Sequence, residues 1–205
     1  IHMSAAPEIH KGLAGVIADQ TAISKVNADT NSLLYRGYPV QDLASTKTFE
    51  EVALLLWDGE LPDTARLKEF EDFERAHRSL DADLKKIIDD LPTDCHPMHV
   101  VQTAAAYLGA VDPEADVEGP EANLAKAERM YAQLPTIVAV DHRRRHGLDP
   151  VAPTEDLGYA ANFFKMVFDE VPENRVFDWA IGDKAKTDAL FDTAAHVTRL
   201  TVVNN

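Results

Sequence analysis

Six segments with apolar residues at helical spacing occupy most of the chain between Thr48 and Phe168, and each is bounded by start and stop signals. Thr48 can cap the first helix, because Glu51 follows three residues later, and Asp58-Gly59 ends it. The later segments begin near Asp63, Asp81, Pro97, Glu121 and Leu157. This pattern predicts a mainly α fold built as an array of helices.

Two of the six predicted helices are apolar on nearly every face. They cover residues 97–108 and 121–145, and small residues separate the larger apolar ones. Pro135 lies inside the second pattern and predicts a kink there, and Gly147 ends it. We expect both helices to be buried on more than one side.

The two ends of the chain have a different composition. Leu13–Tyr38 mixes β-branched and small residues with Asn and Gly, which predicts short strands and turns. The C-terminal residues predict a strand-helix-strand appendage, with strands at 175–181 and 196–203 around a helix at 184–195. We therefore predict one helical domain at 3–170 and an appendage of different origin at 171–205; residues 1–2 are interpreted as a vector remnant.

Charge and cysteine content exclude several classes of function. The chain of 205 residues has 35 Asp and Glu against 20 Lys and Arg, a net charge of −15, so binding to a nucleic-acid backbone is not expected. No stretch reaches the roughly 18 apolar residues that a membrane-spanning helix needs. Cys95 is the single cysteine and cannot form an internal disulfide. These features predict a cytoplasmic protein.

Two histidine clusters are the candidates for a metal site. Cys95, His96 and His99 have the right residue types, but zinc needs three or four ligands and no fourth lies nearby. His142 and His146 have the spacing of a helical zinc pair, but Arg143 replaces the glutamate that would activate water. We interpret both clusters as structural, and we predict no metal ligand, no cofactor and no catalytic residue in the chain.

Three consecutive cations, Arg143, Arg144 and Arg145, end the second apolar helix. Cations in the last turn interact favourably with the negative end of the helix dipole, and this is the interpretation we favour. The alternative is a binding site for the phosphates of coenzyme A. Gly182-Asp-Lys-Ala-Lys-Thr187 lacks the spacing of a phosphate-binding loop and predicts only a turn into a helix.

Seven short motifs occur in the order found in one enzyme family. They are Lys11-Gly-Leu-Ala-Gly-Val, Tyr35-Arg-Gly-Tyr38, Phe49-Glu-Glu-Val-Ala53, Gly59-Glu-Leu-Pro62, His96-Pro-Met98, Leu134-Pro-Thr-Ile-Val138 and Leu157-Gly-Tyr-Ala-Ala-Asn-Phe163. Through these motifs, residues 11–168 resemble the N-terminal part of citrate and 2-methylcitrate synthases. The resemblance implies a mostly helical, dimeric enzyme that condenses an acyl-CoA with oxaloacetate through an enol intermediate.

The resemblance also implies two catalytic histidines and one catalytic aspartate. In the family, the histidines lie in His-x-x-Asn-Ala-Ser-Thr, His-Gly-Gly and Gly-His-x-Val-Tyr motifs, and this sequence contains none of the three. Instead, residues 168–205 resemble a piece of a molybdenum hydroxylase large subunit, of the carbon monoxide or xanthine dehydrogenase type. We therefore expect a chimeric chain that is truncated before the catalytic residues and has a junction near Phe168.

Two kinds of function follow from this interpretation. In the first, the chain belongs to the synthase family but is inactive by itself. Binding of acyl-CoA or oxaloacetate is then not predicted. The alternative is a non-catalytic dimeric scaffold, or a regulatory partner of an intact synthase subunit. In both, we expect a homodimer joined through the helices at 97–108 and 121–145, because apolar faces of that extent are usually buried against a partner subunit.

Overall fold

The structure is a computed structural model, and it describes residues 11–171 except 14, 18 and 31. These residues form seven α-helices and one three-stranded sheet, preceded by a short 3-10 turn at Lys11–Leu13. The mainly helical fold predicted from the sequence is thus confirmed. The predicted strand-helix-strand appendage lies outside the described residues. The chain divides into two compact units, at 1–61 and 62–205.

The first unit contains the sheet and two helices. Its strands are β1 (Ser24–Asn27), β2 (Ser32–Tyr35) and β3 (Tyr38–Pro39), all antiparallel neighbours in that order. The helices are α1 (Val40–Thr46) and α2 (Phe49–Asp58). The strands fall where the sequence predicted short strands, and β3 continues one residue beyond the predicted segment.

The turn between β2 and β3 consists of Arg36 and Gly37. Tyr35 pairs with Tyr38, so these two residues are the whole loop, and both have positive φ, 48° and 92°. A two-residue loop with both φ angles positive matches the twist of the strands that it joins. Arg36 then donates a hydrogen bond from Nη2 to the carbonyl oxygen of Leu56 at 2.7 Å. This contact holds the hairpin against α2.

Helix α2 begins with the predicted capping box. The Thr48 hydroxyl accepts from the backbone N–H of Glu51, and the Glu51 carboxylate accepts from the N–H of Thr48. Burial opposes ionisation of Glu51, but its hydrogen bonds with Thr48 and Lys47 outweigh that effect and lower its pKa. The helix ends at Gly59, whose φ of 90° is a conformation that glycine adopts without strain.

The described part of the second unit, residues 62–171, contains five helices. These are α3 (Thr64–Ala76), α4 (Ala82–Asp90), α5 (Pro97–Val111), α6 (Pro120–Arg145) and α7 (Tyr159–Phe168). Asp63 and Asp81 cap α3 and α4 by accepting hydrogen bonds from backbone N–H groups. Helix α6 contacts each of the other four helices. No helix in the described part of the chain is long and apolar enough to cross a membrane.

Two clusters of buried side chains surround α6. The larger cluster joins α4, α5 and α6 and contains Leu80, Leu84, Ile88, Val100, Ala104, Ile137 and Val140. The smaller cluster joins α6 to α7 and contains Ala139, Met166 and Val167. Burying one large aliphatic side chain contributes roughly 1.5–3 kcal/mol, so both clusters stabilise the packing of α6 against its neighbours.

The two helices predicted to be buried differ in the structure. Helix α6 is buried continuously over residues 136–143. Helix α5 buries only Val100 and Ala104, whereas Val101, Tyr107 and Leu108 are half-buried. The expectation of burial on several sides therefore holds for the second half of α6, but α5 presents one side to this chain's core.

Helix α6 runs through Pro135 without a break. A proline has no N–H, so the carbonyl oxygen of Tyr131, four residues earlier, loses its helical donor. The hydroxyl group of Tyr159, at the start of α7, donates to that oxygen at 3.1 Å. The two tyrosine rings stack with their centroids 4.3 Å apart. The contact between α6 and α7 thus satisfies a group that the proline leaves without its usual partner.

Candidate functional site

The C-terminal end of α6 gathers four charged residues, which we call the arginine cluster: Asp141, Arg143, Arg144 and Arg145. The Asp141 carboxylate is 1% exposed and accepts from Arg144 Nη2 at 2.8 Å and from Arg145 Nε at 2.7 Å. One carboxylate therefore neutralises part of the charge on two arginines. A buried ion pair needs such additional hydrogen bonds to offset the loss of water.

The three arginines also donate to backbone carbonyl groups from distant parts of the chain. Arg144 donates to Leu91, and Arg145 donates to Thr93 and Cys95 at 2.7 Å each. These carbonyl groups belong to the connection between α4 and α5. The arginine cluster therefore holds that connection against the end of α6.

Arg143 makes separate contacts. Its Nε donates to the carbonyl oxygen of Asp149, and its Nη1 donates to that of Val167 at 3.0 Å. Arg143 thereby ties the end of α6 to the following loop and to the end of α7. The interpretation of these arginines as helix-terminal cations agrees with their position, and the carbonyl partners add a role that the sequence did not indicate. A site for coenzyme A phosphates would have to compete with these contacts.

The first of the two histidine clusters, which the sequence analysis interpreted as structural, lies at the other end of that connection. His96 caps α5, because its Nδ1 accepts from the N–H of Met98 at 3.1 Å, and its ring lies 5.9 Å from that of His99. Cys95 is half-buried beside the larger core cluster, and its Sγ lies 3.5 Å from Arg145 Nη2. Burial disfavours the charged form of Arg145, but hydrogen bonds with Asp141 and Cys95 outweigh that and raise its pKa.

The second histidine pair lies along α6, with the two rings tilted by 33°. The rings of His142 and His146 are 4.3 Å apart, and His146 Nδ1 lies 2.7 Å from the carbonyl oxygen of His142. His142 is buried and also approaches the Phe168 ring. Among residues 11–171 as far as the structure describes them, no group of three or more His, Cys, Asp or Glu side chains could hold a metal ion.

A cavity of about 350 Å³ lies between α5, the loop at 112–119 and the first half of α6. Its wall is largely apolar, with Leu108 and Met130 among its residues. Arg129 lies at its edge and donates to Asp112 at 2.7 Å and to Glu114 at 3.4 Å. Lys126 Nζ donates to the carbonyl oxygens of Ala115 and Val117 at 2.9 and 2.6 Å. Both cations therefore serve to hold the loop.

A buried network that the sequence did not indicate joins α3 to the segment before α7. Glu74 and Arg78 are 1% and 2% exposed, and two parallel hydrogen bonds of 2.7 and 2.6 Å join them. Arg78 also donates to the carbonyl oxygens of Thr154 and Leu157, while its own carbonyl accepts from the Thr136 hydroxyl. By helical spacing, Glu74 lies outside the apolar stripe of Leu67, Phe70 and Phe73, which is typical of a surface residue. Its burial is possible because Arg78 pairs with both carboxylate oxygens.

Comparison with known proteins identifies the relatives of this chain. The family described as citrate synthase, C-terminal domain, matches residues 12–182. Citrate synthase of Mycolicibacterium smegmatis is 61% identical over 170 residues, which is 83% of this chain and 45% of the relative. A 2-methylcitrate synthase of Mycobacterium tuberculosis is 59% identical over 170 residues, 83% of this chain and 43% of the relative. The chain thus spans less than half the length of these curated relatives.

A solved structure agrees with these relatives. The crystal structure of citrate synthase from Pyrobaculum aerophilum superposes with a TM-score of 0.76 at 33% identity, over 88% of this chain and 47% of that chain. None of the comparisons supports the predicted resemblance of residues 168–205 to a molybdenum hydroxylase, and the family match continues past Phe168 to residue 182. On the length and identity of these matches, the chain belongs to the citrate synthase family.

Proposed function

We propose that this chain is part of an enzyme that condenses an acyl-CoA with oxaloacetate. The observation that carries the proposal is the identity of 61% and 59% to a citrate synthase and a 2-methylcitrate synthase over 170 residues each. The two identities are too similar to favour acetyl-CoA or propionyl-CoA. In this proposal, the described helices are the scaffold on which other parts of such an enzyme would position the reacting groups.

We further propose that the 205-residue chain alone does not catalyse the condensation. General acid–base catalysis needs positioned proton donors and acceptors, and none of the eight histidines lies in a catalytic motif of the family. The test is release of free CoA thiol from acetyl-CoA and from propionyl-CoA in the presence of oxaloacetate. Turnover by the purified chain above the background without protein would contradict the proposal.

Fragment complementation tests whether the chain can form part of an active condensing enzyme. The partner is the part of the M. smegmatis citrate synthase that lies outside its aligned 170 residues. If this chain supplies the scaffold, then mixing the two fragments should produce thiol release that neither shows alone. Comparing the rates with acetyl-CoA and propionyl-CoA then tests the substrate. As a control, the M. smegmatis enzyme cut at the same place must itself recover activity when its two fragments are mixed.

We also propose that the chain forms a homodimer through α5 and α6, over residues 97–108 and 121–145. The support is the incomplete burial of α5, where Val101 and Leu108 are half-buried against the core cluster, and of Leu134 on α6. A two-fold interface would use the same surface of both chains. Two small residues of these helices, Ala104 and Ala132, are buried within this chain and so are not part of the exposed surface.

Light scattering coupled to size exclusion tests the dimer. Val101→Asp and Leu134→Asp should each give a monomer or an aggregate, because an unpaired charge in an apolar interface is costly. Ala65→Asp is the matched control, since Ala65 is exposed on α3, outside the proposed interface, and it should leave the dimer intact. Far-ultraviolet circular dichroism separates loss of pairing from loss of folding. A clean monomer for the unmodified chain would contradict the proposal and remove support from the scaffold alternative.

A further inference from the structure

The three-stranded sheet of the first unit has one face that carries only large apolar and aromatic side chains and Ser24. In antiparallel strands, residues directly opposite each other, and residues two positions apart along one strand, have their side chains on the same face. Val26 pairs with Leu33, and Tyr35 pairs with Tyr38. Leu33 and Tyr35 are two positions apart on β2, so all four lie together. We call them the apolar sheet face.

No residue of the apolar sheet face is buried. Val26 is 76% exposed and Tyr38 is 38% exposed, whereas Leu33 and Tyr35 are half-buried. The apolar side chains that the described part of the first unit does bury all lie on its helices: Leu43, Leu54 and Leu55. Small sheets are stable when an apolar face packs against other elements. The sheet therefore gains little from burial within the described residues, and its apolar face is free for a partner.

The length of the relatives supports one partner for this face. The family match begins at residue 12, so the sheet belongs to the part that this chain shares with citrate synthases. In the M. smegmatis relative, the aligned 170 residues are only 45% of the protein. More than half of that relative therefore lies outside the alignment and is available to cover surfaces of the shared part. An exposed apolar surface is typical of such a contact.

A second copy of this chain fits the sheet less well. In the described residues, β1 is an edge strand, because it pairs only with β2. Lys25 is exposed in the middle of this strand, and an edge lysine discourages pairing with the edge of another sheet. Two-fold pairing of two four-residue β1 strands would also bring both copies of Lys25 close together, where like charges are destabilising.

We propose that the apolar sheet face binds the part of the condensing enzyme that lies outside the residues aligned with this chain. The inference rests on the proposed function, since it names the partner that this chain has within such an enzyme. Apolar side chains of the partner contact Val26 and Tyr38 and exclude water from them. The sheet thereby acquires a buried face, and its main-chain hydrogen bonds become protected.

Co-expression tests the proposal. The 205-residue chain carries an affinity tag, and the untagged partner is the part of the M. smegmatis citrate synthase outside its 170 aligned residues. The two should co-purify in nearly equal amounts. Amide hydrogen exchange at 24–27 and 32–35 should be fast in the chain alone and at least about tenfold slower in the complex.

Three variants test which surface makes the contact. Val26→Asp should reduce the co-purified partner at least about tenfold, because it places an unpaired charge in an apolar contact. Lys25→Asp is the matched control: Lys25 is exposed on the same strand but on the other face, so the partner should be retained. Val26→Thr keeps the branched shape and so the fold, and its partner should dissociate about fourfold faster, as expected for loss of about one buried methyl group.

The proposal is overturned if the unmodified chain does not retain the partner, or if Val26→Asp and Lys25→Asp retain it equally. Protection of both strands in the chain alone would overturn it too, since the chain would then cover the face itself. A lower mass of Val26→Asp in light scattering without the partner would identify a second copy as the cover, with the same consequence.

Thiol release by the same complexes separates this inference from the proposed function. Retention that depends on Val26, without turnover, would support the contact and contradict the condensation. Turnover together with equal retention by Val26→Asp and Lys25→Asp would contradict the contact alone.

Discussion

At both ends of helix α6, cationic side chains hold a neighbouring connection by donating hydrogen bonds, but the two ends differ in how far these side chains are exposed to water. Near its start, Lys126 and Arg129 hold the loop at 112–119 from a half-exposed position. At its end, Arg144 and Arg145 hold the connection at 91–96 around Asp141, which is almost fully buried. Coulomb interactions and hydrogen bonds are stronger where water is excluded, but an unpaired charge there is also far more costly.

This difference means that the same substitution should have unequal effects at the two ends. Near the start of α6, water can replace a lost partner, so the loop should loosen while the helix remains. At its end, removal of Asp141 leaves two largely buried arginines without their counter-charge, and the whole unit should lose stability.

Asp141→Ala should have the largest effect. The substitution leaves Arg144 and Arg145, whose side chains are 11% and 14% exposed, without their shared carboxylate. We expect a loss of about 3 kcal/mol in the free energy of unfolding, the lower end for breaking a buried pair. Urea denaturation followed by circular dichroism measures it. Asp112→Ala is the control at the other end of the helix, and an equal loss for both would show that burial does not separate the two ends.

Arg145→Lys should have an intermediate effect. Lysine keeps the positive charge but lacks the planar fork that reaches Thr93, Cys95 and Asp141 together. We expect a loss of about 1–2 kcal/mol, as for one or two hydrogen bonds to a charged group. Amide hydrogen exchange should accelerate first in the connection at 91–96. Unchanged protection there would show that the carbonyl contacts do not hold this connection.

Arg129→Ala should change the free energy of unfolding little. Its main effect should be on amide exchange in the loop at 112–119, and that effect should depend on salt. Exposed ion pairs are weak and are screened as salt rises, with a Debye length of about 10 Å at 0.1 M and about 3 Å at 1 M. We expect faster amide exchange in the loop at 112–119 at low salt, and a difference from the unmodified chain that shrinks at 1 M NaCl. Persistence of the full difference in high salt would indicate that packing, not charge, holds the loop.

The pH dependence of the same loop gives the smallest predicted signal. The hydrogen bond from Arg129, together with one from the backbone N–H of Glu114, lowers the pKa of Asp112 in the folded protein. The stability that ionised Asp112 contributes to the folded state is therefore fully present above its unfolded pKa of about 3.9. This contribution is lost as pH falls through the lowered pKa of the folded protein. Carboxyl chemical shifts of Asp112 measure this, and Arg129→Ala should bring the pKa back up towards 3.9. A folded pKa above 3.9 would contradict the assignment.

Local signals made much of this fold predictable from the sequence. Thr48, Asp63 and Asp81 start helices in the structure as they were predicted to, because an N-cap involves only residues within three positions of it. The predicted end of α5 near Leu108 fell short, since the helix continues to Val111. Gly109 weakens a helix in isolation, but tertiary contacts can outweigh that preference.

Long-range contacts were not predictable by the same means. Glu74 looked like a surface residue by its helical position, and only the approach of residues 154–157 explains its burial with Arg78. In the same way, the triplet Arg143–Arg145 indicated a helix end, but its carbonyl partners in the α4–α5 connection are about fifty positions away along the chain. The spacing of apolar residues identifies which face of a helix is apolar. It does not identify which distant group will satisfy a buried charge.

The proline within α6 makes part of the stability of that helix depend on α7. An isolated α6 would leave the carbonyl oxygen of Tyr131 to water, whereas the folded unit gives that oxygen to Tyr159. One such hydrogen bond contributes roughly 0.5–1.5 kcal/mol. We therefore expect a chain interrupted between Arg145 and Tyr159 to retain the helix-forming sequence of α6 but to lose this contribution to its stability together with α7.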